Sequence, residues 1–160
     1  MASSTRMNDR MSALLERANL QWPLVTDATS RQVPTLEIFE DCVLLKSEWH
    51  RNKHVKITDC FDKTGFECFI NHVHFAFNGT NETLISGLEH AAAIQDALMT
   101  LARDRRFRII VSLSEDDEFP ESACAVRFHQ IRRGEGWIAE NLEGYKSEAI
   151  LVFDVPNSPH

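Results

Sequence analysis

A chain of 160 residues is long enough for one domain with a hydrophobic core, and 43% hydrophobic and 26% charged residues are ordinary globular values. The net charge of −7 argues against nucleic acid as a partner, because proteins that bind it carry basic surfaces that neutralise phosphates. The longest wholly apolar run, Ala149 to Phe153, is far below the roughly 20 residues of a transmembrane helix, so we expect no membrane contact.

The N-terminal region is predicted to contain a short amphipathic helix. Residues 1–5 are small and polar and are expected to fray, and apolar residues then recur at helical spacing over residues 7–18. Arg6, Asp9 and Arg10 interrupt this region, so it lacks the apolar core of a signal peptide and a cytoplasmic location is expected.

The next region is predicted to hold an irregular connector followed by strands. Residues 19–34 contain two prolines and several turn-forming residues, which is typical of a connector. Residues 36–39 and 43–49 are strand candidates, although a helix over 36–49 stays open because strong helix formers are mixed in.

The strongest local pattern predicts a β-hairpin. Residues 55–61 and 66–75 alternate in polarity, and Asp62 and Gly65 between them suit a type I turn that ends in a G1 bulge. The register of that turn places His54 opposite His74, Lys56 opposite His72 and Cys60 opposite Cys68 on a polar face of the sheet. The other face is apolar and needs a helix to cover it.

The second half of the chain supplies that helix and further strands. Periodicity predicts a long helix over about residues 82–103, strands over 107–113, 124–129 and 149–155, and a short helix over 134–145. The fold class is therefore predicted as α+β. The expected arrangement is a mainly antiparallel sheet with the long helix on its apolar face, and with short helices at 7–18 and 134–145. Residues 1–160 are predicted to form a single domain with short tails at 1–5 and 156–160.

The histidines of the predicted hairpin are the first candidate site. His54, His72 and His74 on one sheet face suggest either a zinc site or a polar surface for a partner. Cys60 and Cys68 would lie about 20 Å from His54 along the strands, at about 3.3 Å per residue, so one ion cannot use both groups. The four cysteines show no C-x-x-C spacing and are expected to be buried hydrophobic residues rather than nucleophiles. We assign these histidines to partner binding and predict no metal site, cofactor or catalytic residue.

An acidic segment is the second candidate site. It carries five acids and no base: Glu115, Asp116, Asp117, Glu118 and Glu121. Such a segment is either a solvated loop or a contact for a basic partner, since opposite charge steers association. Arg127 and His129 on the strand that follows complete the predicted partner-binding residues.

The glycines after that strand suggest an alternative. Arg133-Gly-Glu-Gly136 resembles the pyrophosphate loop of GNAT-type N-acetyltransferases, in which a strand leads through glycines into a helix. The resemblance covers about a dozen residues and departs at Trp137 and Ile138, where that family has an aliphatic residue and another glycine. It implies a small transferase or hydrolase as the alternative function.

In overall format the chain resembles bacterial immunity proteins of contact-dependent growth inhibition and related toxin systems. Those proteins are small, acidic and free of catalytic motifs, and residues 127–137 are similar to their C-terminal segments. The resemblance implies tight, stoichiometric inhibition of a cognate toxin domain, such as a nuclease. A monomer or a homodimer is compatible with this function, and a homodimeric scaffold is a further alternative.

Overall fold

The structure, a computed structural model, describes residues 5–24, 32–114 and 123–156. In these ranges a five-stranded antiparallel sheet has the strand order β1-β7-β5-β6-β4, and strands β2 and β3 form a separate antiparallel hairpin. The strands are β1 (Arg6–Met7), β2 (Leu36–Phe39), β3 (Cys42–Leu45), β4 (His72–Phe75), β5 (Phe107–Ser114), β6 (Cys124–Gln130) and β7 (Glu148–Val155). The helices are α1 (Asp9–Ala18), α2 (Lys46–Arg51), α3 (Lys63–Ile70) and α4 (Thr80–Leu101), with 3₁₀ turns at Ile57–Asp59 and Leu142–Gly144. The predicted α+β class is confirmed.

The long helix packs on one face of the sheet, as predicted, and its bounds differ from the prediction by two residues at each end. Its buried stripe, which includes Leu84, Leu88 and Ile94, forms one core with the residues of β5, β6 and β7 that face it. The approach is closest at Gly87, where an added Cβ would lie 2.5 Å from the Cys124 Sγ atom. A glycine at this position lets the helix backbone reach the sheet.

Helix α1 and strands β2, β5, β6 and β7 also lie where periodicity predicted them. Asn8 caps α1 by accepting a hydrogen bond from the Met11 N–H at 3.1 Å. The same side chain accepts from the Ile150 N–H at 2.9 Å, so one residue both starts the helix and joins it to β7. None of the helices in the described ranges is long and apolar enough to cross a membrane.

The predicted hairpin over residues 55–75 is wrong. Residues 57–59 form a 3₁₀ turn, residues 63–70 form α3, and only β4 is a strand, paired with β6. None of the predicted cross-strand pairs therefore exists. The Asp62 carboxylate accepts from the Gly65 N–H at 2.7 Å as a helix N-cap. An aspartate three residues before a glycine suits a turn and a helix start equally, because the local hydrogen bond is similar in both.

Two further predictions, the strand over 43–49 and the helix over 134–145, are wrong over part or most of their length. The strand expected over 43–49 stops at Leu45 and continues as α2, so residues 46–49 follow the helical alternative. The helix expected over 134–145 is absent apart from the 3₁₀ turn at Leu142–Gly144. Gly134 has a φ of 79°, a conformation outside any right-handed helix. The apolar side chains of this segment instead cover the second face of the sheet around Ile110, Ile150 and Val152.

Candidate functional site

The face of the sheet opposite α4 gathers several of the predicted partner-binding residues. His72 is the Cα partner of Arg127, and His74 is the partner of Ala125, so both histidines share a face with Arg127. His129 lies two residues beyond Arg127 and points to the same side. His54 lies in the turn after α2 and on no strand, so the hairpin that would bring it to this face is missing. The five acids at 115–118 and 121 lie outside the described residues.

The two histidines of β4 contact each other. Their ring centroids are 3.9 Å apart, and the rings meet edge to face at 67°. Burial, with Arg127 and His74 beside it, lowers the pKa of His72 to about 4. His72 is therefore neutral at pH 7, and Arg127 is the fixed positive charge of the group.

His129 belongs to the core rather than to the surface. It is 2% exposed, and its Nδ1 atom lies 2.8 Å from the Gln130 carbonyl oxygen. Burial lowers the pKa of His129, although the hydrogen bond to this carbonyl opposes the shift. A neutral imidazole at this depth supports the sheet and leaves the surface contacts to its neighbours.

Arg127 stacks on a tryptophan that no strand or helix holds. Its Cζ atom lies 5.1 Å from the centroid of the Trp137 ring, within the range of a cation–π contact. The tryptophan is 47% exposed. The segment that was expected to be a helix therefore presents an aromatic ring to solvent above the sheet.

A hollow of about 210 Å³ lies beside this pair, between the sheet and the segment that covers it. We call it the arginine hollow, and it is lined by Ile110, Ser112, Arg127, Trp137, Ile138, Tyr145, Glu148 and Ile150. The Tyr145 hydroxyl accepts from the Ala139 N–H at 2.9 Å, which leaves its own proton free to donate. The hollow thus combines one cation, two hydroxyl groups and apolar walls, with Glu148 at its edge.

A buried polar network fixes α3 beside this face. Glu67 is fully buried and accepts from the Val43 N–H, the Gln130 N–H and the Arg132 guanidinium. Asn71, one turn later and also fully buried, accepts from the Leu45 N–H at 2.8 Å. The two side chains join the β2–β3 hairpin to the main sheet through backbone groups that would otherwise be unpaired.

This network was missed in the sequence. Glu67 and Asn71 are four residues apart, which places them on one face of either a helix or a strand, but about 6 Å apart along a helix and about 13 Å apart along a strand. The spacing has no meaning until α3 is known to be helical. Charged residues are also rarely buried, so the sequence alone favours a surface position for Glu67.

Three of the four cysteines are buried, as expected, and Cys60 is half-buried. All four are free thiols, and Cys42, Cys68 and Cys124 are fully buried. Burial raises the pKa of Cys42 to about 11 and that of Cys124 to about 12, so both are protonated at neutral pH. Within residues 5–24, 32–114 and 123–156, no three His, Cys, Asp or Glu side chains are grouped to hold a metal ion.

The glycine segment does not form the phosphate loop that the resemblance implied. A pyrophosphate site needs backbone N–H groups at the start of a helix, and Gly134 and Gly136 lead into no helix. Glu135 faces α3 instead, where its carboxylate accepts from the Thr64 N–H at 3.1 Å.

Comparison with known proteins gives one match. A sequence model of the Uncharacterized protein PM0498 family matches residues 6–159. The chain belongs to this family. No curated protein and no solved structure matches the chain. The match spans every strand and helix from β1 to β7, so the arginine hollow and the buried network both lie within the matched residues.

Proposed function

We propose that the protein binds and neutralises a protein partner in a one-to-one complex, in the manner of bacterial immunity proteins that block a cognate toxin. The observation that carries the proposal is the half-exposed Trp137 ring stacked on Arg127. Tryptophan and arginine are the residues that most often dominate the binding energy of protein interfaces. A ring that is stacked on an arginine of the sheet also loses little conformational entropy on binding, because it is already oriented.

Two further exposed aromatic residues lie on α3 or just before it. Phe61, directly before the helix, is fully exposed, and Phe69 is 53% exposed. Helix α3 packs against β6, the strand that carries Arg127. Large apolar side chains that face water on the helix beside that strand are typical of an interface.

The acidic segment leaves the sheet near the same place. Its flanks, Ser114 and Ala123, are joined by a hydrogen bond of 2.8 Å, and Ser114 is the Cα partner of Glu148 at the edge of the arginine hollow. The proposed interface therefore has an aromatic and arginine centre, and the two residues that flank the acidic segment lie on the same sheet. A partner with a basic surface, such as a nuclease domain, suits those acids because opposite charge speeds association.

The test uses the toxin domain of a large secreted protein encoded beside the gene. The purified domain and the full chain are mixed, and stoichiometry, affinity and protection of toxin-expressing cells are measured. We expect a one-to-one complex and protected cells. Trp137→Ala should weaken binding by about 30-fold or more, as for a residue that dominates an interface. Met99→Ala is the matched control, because Met99 is equally exposed but lies on α4.

Charge reversal separates the acidic segment from the aromatic centre. Replacing Glu115, Asp116, Asp117 and Glu118 with lysine should slow association and reduce its dependence on salt, with a smaller effect on dissociation. The proposal fails if the toxin domain does not bind, or if Trp137→Ala binds and protects as the parent does.

A further inference from the structure

Arg127 differs from the other partly buried arginines near it. Arg108 pairs with Asp154 at 2.8 Å, Arg105 pairs with Asp41 at 3.2 Å, and Arg132 pairs with Glu67. Among the described residues, no carboxylate forms an ion pair with Arg127, whose guanidinium lies over the Trp137 ring. Burial lowers the pKa of Arg127, and the more distant Glu148 carboxylate offsets this only in part. A partly buried cation with no carboxylate in direct contact leaves room for a further anion to pair with it.

The arginine hollow has the size and the hydrogen-bond donors to hold an anion beside Arg127. Ser112 and Tyr145 line it with a hydroxyl group each, and the Tyr145 hydroxyl already accepts one hydrogen bond and keeps its proton to donate. Both groups and the guanidinium are donors. Trp137 and Ile138 add apolar walls that suit a short methylene stem.

Glu148 limits the kind of anion that the hollow can hold. Glu148 on β7 also lines the hollow, and its charge raises the pKa of Arg127. The two side chains form no ion pair, but the carboxylate keeps a negative charge at one end of the hollow. One guanidinium and a nearby acid favour a singly charged group over a phosphate dianion. A planar carboxylate also matches the fork of the guanidinium.

We propose that the arginine hollow binds one carboxylate on a short apolar stem, with Arg127 as its ion-pair partner and with the stem against Trp137 and Ile138. The source is an aspartate or glutamate side chain of the protein partner, and this choice of source rests on the proposed function. The site itself does not rest on that function, and its test needs no partner.

The test follows the indole N–H signal of Trp137 by NMR in the full ¹⁵N-labelled chain, at constant ionic strength. The signal is identified as the one lost in Trp137→Phe. Sodium butyrate is the probe, and butylammonium chloride and inorganic phosphate are the matched controls. We expect a saturable shift of the Trp137 signal with butyrate, and no shift of the Trp22 and Trp49 signals.

Variants assign the shift to the guanidinium. Arg127→Met should abolish it, and Arg127→Lys should weaken binding by about tenfold, because an ammonium group lacks the bidentate fork. Arg103→Met is the control, since Arg103 is an exposed arginine outside the hollow. Unchanged Trp22 and Trp49 signals show that a variant is folded, and Arg127→Lys keeps the test decisive should Arg127→Met fail to fold.

Several results would overturn the site. They are the absence of a saturable shift, an equal response to butylammonium, tighter binding of phosphate than of butyrate, or a shift that survives in the Arg127 variants. The blocked peptide acetyl-Ala-Glu-Ala-amide then identifies the source. Tighter binding of the peptide than of butyrate supports a protein-borne carboxylate, and tighter binding of butyrate overturns that source in favour of a free small carboxylate.

Discussion

Replacing Glu67 with glutamine tests whether the buried network holds the β2–β3 hairpin and α3 on the main sheet. The carboxylate is fully buried and accepts from two backbone N–H groups, those of Val43 and Gln130, each at 2.9 Å. It also pairs with Arg132, whose side chain is 11% exposed. Glutamine has nearly the same shape, so the change removes the charge and one acceptor without opening a cavity.

The magnitude follows from these contacts. An amide group can accept at one position only, so its NH₂ group faces a backbone N–H and leaves one buried donor unpaired, at about 1–3 kcal/mol. The hydrogen bond to Arg132 also loses its charge assistance, at about 1 kcal/mol. We expect the free energy of unfolding to fall by about 3 kcal/mol, which for a chain of this length lowers Tm by roughly 6–12 °C. Alanine at this position would remove every acceptor, and its cost could approach the whole free energy of unfolding of a typical domain, about 5–15 kcal/mol. Glutamine is therefore the informative change.

Chemical unfolding of four proteins measures the effect: the parent, Glu67→Gln, Arg132→Met and the double variant. Because both changes break one network, their costs should not add, and the coupling energy should be about 1–3 kcal/mol. Glu89→Gln is the control, an exposed glutamate on a helix, and should change stability by less than about 0.5 kcal/mol. A loss below about 1 kcal/mol in Glu67→Gln, or additive costs, would refute the reasoning.

Three further predictions concern the core, the first helix and acid stability. Gly87→Ala should lower the free energy of unfolding by about 1–3 kcal/mol, because the new methyl group meets Cys124 Sγ at 2.5 Å, and Cys124→Ala in the same chain should recover part of it in a denaturant titration. Asn8→Ala should cost about 2–4 kcal/mol by thermal unfolding, since it removes both the helix cap and the acceptor for the Ile150 N–H; a cost below 1 kcal/mol would contradict the double role. Because the pKa of His72 falls from 6.5 to about 4 on folding, the unfolded chain takes up the proton first. The contribution of neutral His72 to the free energy of unfolding is complete above pH 6.5 and is lost as pH falls towards 4. Tm measured against pH should therefore fall less steeply in His72→Gln than in the parent, and equal slopes would count against this assignment.

Elements with long and regular patterns could be predicted from the sequence. The apolar stripe of α4 extends over six turns, which is long enough to exclude the two-residue period of a strand. The alternation of β5 extends over eight residues, which is long enough to exclude the period of a helix. β7 is buried on both faces, as a wholly apolar run indicates, and it lies between β1 and β5. These elements define the α+β class and the apolar face that α4 covers.

The site depended on contacts that the sequence does not show. Residues 66–70 suit either a strand or a helix, and Asp62 suits either a turn or a helix start. Helix α3 is favoured because Glu67 and Asn71, one turn apart, reach backbone groups of β3 and β6 that are distant in the chain.

The same reason explains the segment after β6. The spacing of its apolar residues predicts a helix, but the residues that they pack against, Ile110 and Ile150, lie on β5 and β7. Local pattern thus determined the long helix and the strands β5, β6 and β7 that it covers. Tertiary contact decided α3, the covering segment and the arginine hollow, because short segments with two acceptable local conformations follow whichever one satisfies the buried groups around them.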